Sequence, residues 1–355
     1  MKLYGIKKDI IMNRVIKSAI TLLLAGIIIL ASSSTAKAAT PLRYGIDVSY
    51  HQGEIDWNAV KSSGIQFAFV RAGSFKSGTD AFYHQNMKGA IAAGIPVGIY
   101  VYSYATTPEM AANEGLFAVT VAKDYPVSLP IAYDIEDAYH KGMSADQLQA
   151  LVNSFCNTVK AAGYYPIVYS SKNWFENRIG AVSWDVWVAQ YNSACSYARP
   201  YSFWQCTSSG VVPGINGRVD MNFQFKDYSA EIPANGFKTV AGKTYYMQNY
   251  MMTRGLMEIN GATYYFEPLF GSMVTGLVST ERGTMYFGED GKMQTGAIKI
   301  ADFLFYFDPA TGVLAPNVAV TIDKKNYITN EMGVLIEVPT AVPATTKSGK
   351  GNKKK

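Results

Sequence analysis

Between Tyr44 and Ser170 the chain keeps a rhythm that leaves few folds open. Short runs rich in β-branched and aromatic residues, Tyr44–Ser49, Phe67–Ala72, Val97–Tyr104, Leu129–Glu136 and Pro166–Ser170, read as strands. Helical patterns separate them at Trp57–Ser63, Asp80–Ala93, Pro108–Lys123 and Ser144–Ala162. Gly64, Gly94 and Gly163 supply stops, Pro108 sits in a first turn, and Ser144 with Gln147 makes a capping box. Strands joined by helices run parallel and are covered on both faces, so their apolar character is nearly continuous. Three more strands follow at Asp185–Tyr191, Ser202–Cys206 and Arg218–Phe223, with links too short and polar for regular helices. Eight strands, most of them separated by helices, predict an α/β barrel of the parallel kind, with its chemistry at the carboxyl ends of the strands.

The run Ile131-Ala132-Tyr133-Asp134-Ile135-Glu136-Asp137 breaks its own apolar pattern with acids. Side chains two apart on a strand point to one side, so Asp134 and Glu136 are expected to project together. Placing like charges side by side at a buried strand mouth is costly. Such a pair suits chemistry that needs one acid protonated and another charged, as glycosidic hydrolysis does. Asp47, Tyr104, Tyr169, Tyr191 and Asp220 fall at other expected strand ends, making a constellation rather than a lone pair.

Lys226 to Asn235 reads as a boundary, and a second pattern begins beyond it. Gly236, Gly255, Gly276 and Gly296 are spaced by 19, 21 and 20 residues, with aromatic clusters between them and a degenerate further copy around Tyr327. Gly242-Lys243, Asn260-Gly261 and Asp290-Gly291 are hairpin-turn signals. One hairpin cannot bury its own aromatics, so stacked copies predict an all-β hairpin-repeat solenoid.

The two ends account for the charge. Residues 1–38 have a basic start, an apolar run from Ala19 to Leu30 and Ala36-Lys37-Ala38, which is the pattern of a secretory signal. The chain's net charge is +5, yet 1–38 holds six Lys/Arg against one acid, and five lysines crowd Lys347–Lys355. Residues 39–346 therefore carry about −5, which argues against nucleic acid as a partner. Residues 338–355 are expected to be a disordered basic tail. Cys156, Cys195 and Cys206 give no metal-ligand spacing, although a Cys195–Cys206 bridge is open to an exported chain. His51, His84 and His140 read as surface or loop residues, and neither a metal nor a cofactor is expected.

Six segments occur in order: Tyr44-Gly45-Ile46-Asp47-Val48-Ser49, Gly94-Ile95-Pro96-Val97-Gly98-Ile99-Tyr100, Asp134-Ile135-Glu136, Trp187-Val188-Ala189-Gln190-Tyr191, Trp204-Gln205-Cys206 and Val219-Asp220-Met221-Asn222. Together they resemble glycoside hydrolase family 25, the secreted muramidases, over about residues 43–225. The resemblance implies a flattened (β/α)5β3 barrel that hydrolyses the β-1,4 bond from N-acetylmuramic acid to N-acetylglucosamine in peptidoglycan. It also implies Glu136 as general acid, Asp134, Asp47 and Asp220 as its acidic surroundings, and retention of configuration. The attacking group stays open between an enzyme aspartate and the substrate acetamido oxygen. Tyr104, Tyr169, Trp187, Tyr191 and Gln205 are candidates for sugar contacts. The later repeats resemble choline-binding-like cell-wall repeats, but all five tryptophans lie before residue 205, which favours another wall polymer or glycan as their ligand. The expected organisation is a signal peptide at 1–38, a catalytic barrel at 39–228, wall-binding repeats at 229–337 and the tail at 338–355, in a secreted, wall-associated monomer. Two rivals are an inactive surface glycan-binding protein and a hydrolase of another acetamido-sugar polymer such as chitin.

Overall fold

A computed structural model describes residues 40–339 of the chain. The expected signal segment and nearly all of the expected basic tail lie outside that span. Nine strands build the first sheet: β1 (Arg43–Val48), β2 (Phe67–Ser74), β3 (Gly78–Thr79), β4 (Val97–Tyr102), β5 (Ile131–Asp134), β6 (Pro166–Ser171), β7 (Asp185–Ala189), β8 (Phe203–Gly210) and β9 (Val219–Gln224). Apart from the short β3, they close on themselves in the order β1-β9-β8-β7-β6-β5-β4-β2, with β2 pairing back onto β1. The last strand departs from the all-parallel expectation, because β9 runs antiparallel to both β1 and β8. A short link leaves no length for a crossover helix, so the chain turns back directly.

Helices α1 (Trp57–Ser62), α2 (Tyr83–Ala92), α3 (Pro108–Ala122) and α4 (Ala145–Ala161) follow β1, β3, β4 and β5. After β6 comes α5 (Lys172–Trp174), a single short turn that runs into a five-residue π-helix at Phe175–Ile179. Five βα units had been expected, and these short turns stand where the fifth helix would be. Helix α4 shows why sequence spacing was a good guide. Leu148, Leu151, Val152, Phe155, Cys156 and Val159 form its buried stripe, and Phe155 stacks on Tyr133 of β5 at 4.2 Å. Its capping box is present as read, with Ser144 N–H donating to Gln147 Oε1 at 2.9 Å.

Alternation along each strand sorts side chains into two cores. Ala68, Val70, Ile99, Val101, Ile131, Tyr133 and Val168 face the helices. Phe67, Phe69, Ala132, Ile167, Trp187 and Phe203 fill the barrel. Phe69 stacks on Trp187 at 4.5 Å and meets Phe203 edge-on at 5.0 Å. Each of these rings contributes about 1.5–3 kcal/mol by leaving water. Gly98 matters here because a Cβ at that position would run into the Phe69 ring. The aromatic floor supports the layer above it, and that layer is polar.

Beyond β9 stand five hairpin units. They are β10 (Gly236–Val240) with β11 (Lys243–Gln248) and β12 (Met251–Met252); β13 (Gly255–Ile259) with β14 (Ala262–Phe266); and β15 (Gly276–Thr280) with β16 (Gly283–Phe287) and β17 (Met293–Gln294). Next come β18 (Gly296–Ile300) with β19 (Phe303–Phe307), then β20 (Ala319–Ile322) with β21 (Lys325–Thr329) and β22 (Leu335–Val338). The fifth unit carries Tyr327, as the degenerate copy suggested, and Val338 closes its last strand rather than opening a tail. Two turn assignments shift. The first hairpin turns at Ala241-Gly242, with φ of 50° and 74°, and Asp290-Gly291 links β16 to β17 rather than pairing within a main hairpin. The first unit also packs on the barrel: Tyr245 O–H donates to Ala161 O at 3.1 Å, and Arg254 donates to Lys123 O at 3.0 Å.

Candidate active site

Above the aromatic floor, a cavity of about 260 Å³ gathers Asp47, Asp134, Glu136 and Asp220 around Arg71. All four acids that the sequence singled out share this one hollow. Asp47 is near the end of β1, and its register partner on β9 is Asp220. Because β9 is antiparallel, Asp220 reaches the rim from the start of its strand, not from the carboxyl end that had been expected. Asp134 closes β5, and Glu136 lies two residues past it rather than on the strand. The residue between them is held twice: Ile135 N–H donates to Tyr169 O at 3.1 Å, and Ser170 Oγ donates to Ile135 O at 2.8 Å.

A hydrogen-bond chain fixes the floor of the hollow. Trp187 Nε1–H donates to Asn222 Oδ1 at 2.8 Å, which turns the Asn222 amide so that Nδ2 donates to Asp47 Oδ2 at 2.7 Å. Gln205 Nε2 donates to the same oxygen at 2.9 Å, while its Oε1 accepts from Tyr169 O–H at 2.9 Å and Tyr191 O–H at 3.1 Å. Two amides thus serve one carboxylate oxygen, and Asp47 faces its register partner Asp220 in the same hollow.

The electrostatics follow from four carboxyl groups facing one guanidinium. Burial and then the charge of Asp220 push Asp47 up, against the pull of the two amides, and burial also raises Asp220. A proton shared by this pair relieves the repulsion between the two acids. Burial, followed by the charge of Glu136, raises Asp134 well above the usual carboxylate range, while Arg71 opposes the shift. Glu136 is raised by burial, then by Asp220 and Asp137. Asp47 and Asp134 are each only 5 % exposed, whereas Glu136 and Asp220 are half-buried. Asp134 Oδ1 and Arg71 Nε are buried without a protein hydrogen-bond partner.

A second cavity of about 500 Å³ adjoins the first, and Glu136, Tyr169 and Tyr191 line both. Gln205 lies in the acidic hollow as a bridge between its acid and its tyrosines. Trp187 reaches that wall but is 1 % exposed, so it orients Asn222 and offers no open face for a sugar. Tyr104 lines neither cavity; it packs against Tyr102 and Tyr139 beneath Lys76. His51, read as a loop residue, lines the acidic hollow, and His140 is fully buried with Nε2 on Ala105 O at 2.9 Å. Arg71, Tyr100, Asn222 and Ser170 were missed. Asn222 stood inside a quoted segment, and inward alternation from Phe69 and Gly98 would have pointed to Arg71 and Tyr100. Cys156, Cys195 and Cys206 are free thiols, so the open bridge is not made.

A closed strand barrel whose mouth holds perturbed carboxylates is the architecture of an acid–base hydrolase. Comparison with known proteins makes that class specific. The model of glycosyl hydrolases family 25 matches residues 46–215, and the choline-binding repeat model matches 274–317. Lysozyme M1 of Streptomyces globisporus is 30% identical over 196 residues, covering 50% of this chain and 66% of that protein. The uncharacterized protein YegX of Escherichia coli K12 is 31% identical over 192 residues, covering 50% and 68%. The autolytic lysozyme of Clostridium acetobutylicum is 30% identical over 181 residues, and the chain spans about half of its length, 54%. The chain belongs to glycosyl hydrolase family 25.

Proposed function

We propose that the chain is an exported N-acetylmuramidase that cuts the β-1,4 bond from N-acetylmuramic acid to N-acetylglucosamine in peptidoglycan. The barrel, 39–228, does the chemistry, and the repeats, 229–337, hold the enzyme to a wall polymer or glycan. The observation that carries this reading is the place of Glu136, which is half-buried and, of the four acids, the one that lines both adjoining cavities. A glycosidic oxygen joining sugars in the two cavities would lie against it. Burial and the negative charge of Asp220 and Asp137 favour a protonated Glu136, ready to donate as the C–O bond breaks.

Positive charge then develops at the anomeric carbon, and the remaining carboxylates stabilise it. Asp47 and Asp134 are too enclosed to approach that carbon readily, which favours the substrate acetamido oxygen as the attacking group. The unpartnered Asp134 Oδ1 is suited to accept the acetamido N–H, and that contact offsets part of its burial. The acetamido oxygen displaces the leaving group from the opposite face of the anomeric carbon. Water then opens the resulting ring from the face the leaving group vacated, so two inversions give retention. The names of the Streptomyces and Clostridium relatives, both lysozymes, support the substrate. Mass spectrometry of sugars released from purified peptidoglycan and from chitin tests the reading. Muramic acid at the new reducing ends is expected; glucosamine ends, or cleavage of chitin alone, would overturn it.

A further inference from the structure

Away from the acids, where the barrel meets the first repeat, two more cavities share Trp184 and Asp185 as a common wall. One is about 740 Å³ and the other about 450 Å³, both larger than the acidic hollow. The charge of their lining is opposite to that of the body around them. Lys226 pairs with Asp185 at 2.8 Å and with Glu231 at 3.0 Å, so one cation serves both acids of the groove. Lys160 and Lys238 line the larger cavity and Arg199 the smaller, and none has a carboxylate within 4.0 Å among the described residues. The four cations against two acids leave the groove at +2, on a chain whose residues 39–346 carry about −5.

Aromatic faces accompany these charges. Trp184 is half-buried, with Lys160 Nζ 5.8 Å above its ring, and Phe237 at the repeat side is 46% exposed. Burial draws the ammonium of Lys238 down to about 8, with no neighbouring carboxylate to oppose the shift. An anion placed beside it would supply the missing partner.

We propose that this groove binds a linear polyol or sugar chain carrying one phosphate per unit. Cations in both cavities call for charge repeated along the ligand rather than for a single anion. Ammonium groups take phosphate oxygens as point charges, and the guanidinium of Arg199 takes them as a fork. Trp184 and Phe237 offer apolar faces to the C–H surface of each unit. The groove draws residues from α4, β7 and β10, so it is complete only when barrel and repeat are joined. The inference does not depend on which glycosidic bond the acids cut.

The test is calorimetric titration of the whole chain with poly(glycerol phosphate), beside inorganic phosphate and neutral dextran. The polymer is expected to bind, with affinity falling as salt rises from about 50 to about 200 mM. Inorganic phosphate should bind at least about 100-fold more weakly, and dextran should not compete. The Lys238→Gln/Arg199→Gln double variant should lose at least about tenfold in affinity at an unchanged unfolding midpoint. A single Lys160→Gln should lose less. Polymer affinity unchanged in the double variant, or dextran binding as tightly as the polymer, would overturn the proposal, as would no binding at all.

Discussion

The barrel and the hairpin array answer the same problem, hiding aromatic rings, in opposite ways. The barrel closes one sheet around Phe67, Phe69, Trp187 and Phe203, bringing together residues as distant as Asp47 and Asn222. The array hides its rings locally, each hairpin leaning on the next: Tyr265 packs with Met285 and Phe287. A second glycine series locks that stack. A Cβ at Gly271, Gly291, Gly312 or Gly333 would press on Met252, Met273, Met293 or Leu314 of the unit before.

The difference shows in what each region can hold. The barrel keeps buried acids at Asp47, Asp134 and Glu114, whereas the array's buried polar side chain among the described residues is Thr329. Only a core shared by many elements can stabilise uncompensated charge at one point, because the cost is spread over the whole cooperative unit. A stack of near-neighbour contacts has no such reserve. Chemistry therefore falls to the barrel, and the array offers length and surface.

The largest effect expected from breaking this contrast is at Glu136. Glu136→Gln should lower kcat on peptidoglycan by about 10²–10⁴, with KM and the unfolding midpoint little changed. A drop of less than about threefold would mean that another group donates the proton. Next comes local melting of the array. Gly312→Val introduces a side chain at φ 72° against Met293 and should destabilise the repeats by about 1–3 kcal/mol. Hydrogen exchange should rise across the third and fourth hairpins and stay unchanged at β5 and β6. Exchange rising equally in the barrel would show that the two regions unfold together. The smallest effect is on stability. Asp134 is raised in the folded state, so its contribution is fully present below the unfolded carboxyl value and is lost as pH climbs through the raised one. Asp134→Asn removes that loss and should be more stable than the parent at pH 7 by about 0.5–2 kcal/mol, with the gain gone near pH 4. Equal stability of the two proteins at both pH values would refute the account of its burial.

Local rules carried most of the fold. Period-2 runs, glycine stops and the Ser144 cap act within a few residues, so the strands, α4 and the hairpins could be read directly. The direction of β9 could not, because it depends on where a short link leaves the chain in space. The acids were legible because charge at the end of an apolar run breaks a pattern. Their supports were not: Ser170, Asn222 and Arg71 look ordinary in sequence and gain a role only through partners 35, 175 or 63 residues away. Trp187 stood out as an aromatic ring suited to sugars, but that ring is sealed in the floor and its indole N–H sets the Asn222 amide.

The central claim, that burial and then the charge of neighbouring acids keep Glu136 protonated for donation, is tested most directly by the pH dependence of kcat/KM for the parent and for Glu136→Gln. The raised Glu136 predicts that parent activity persists above the ordinary carboxylate range and falls as pH rises through the shifted value, while the variant's residual rate lacks that descending limb. A variant that keeps the parental rate and the parental limb would contradict it.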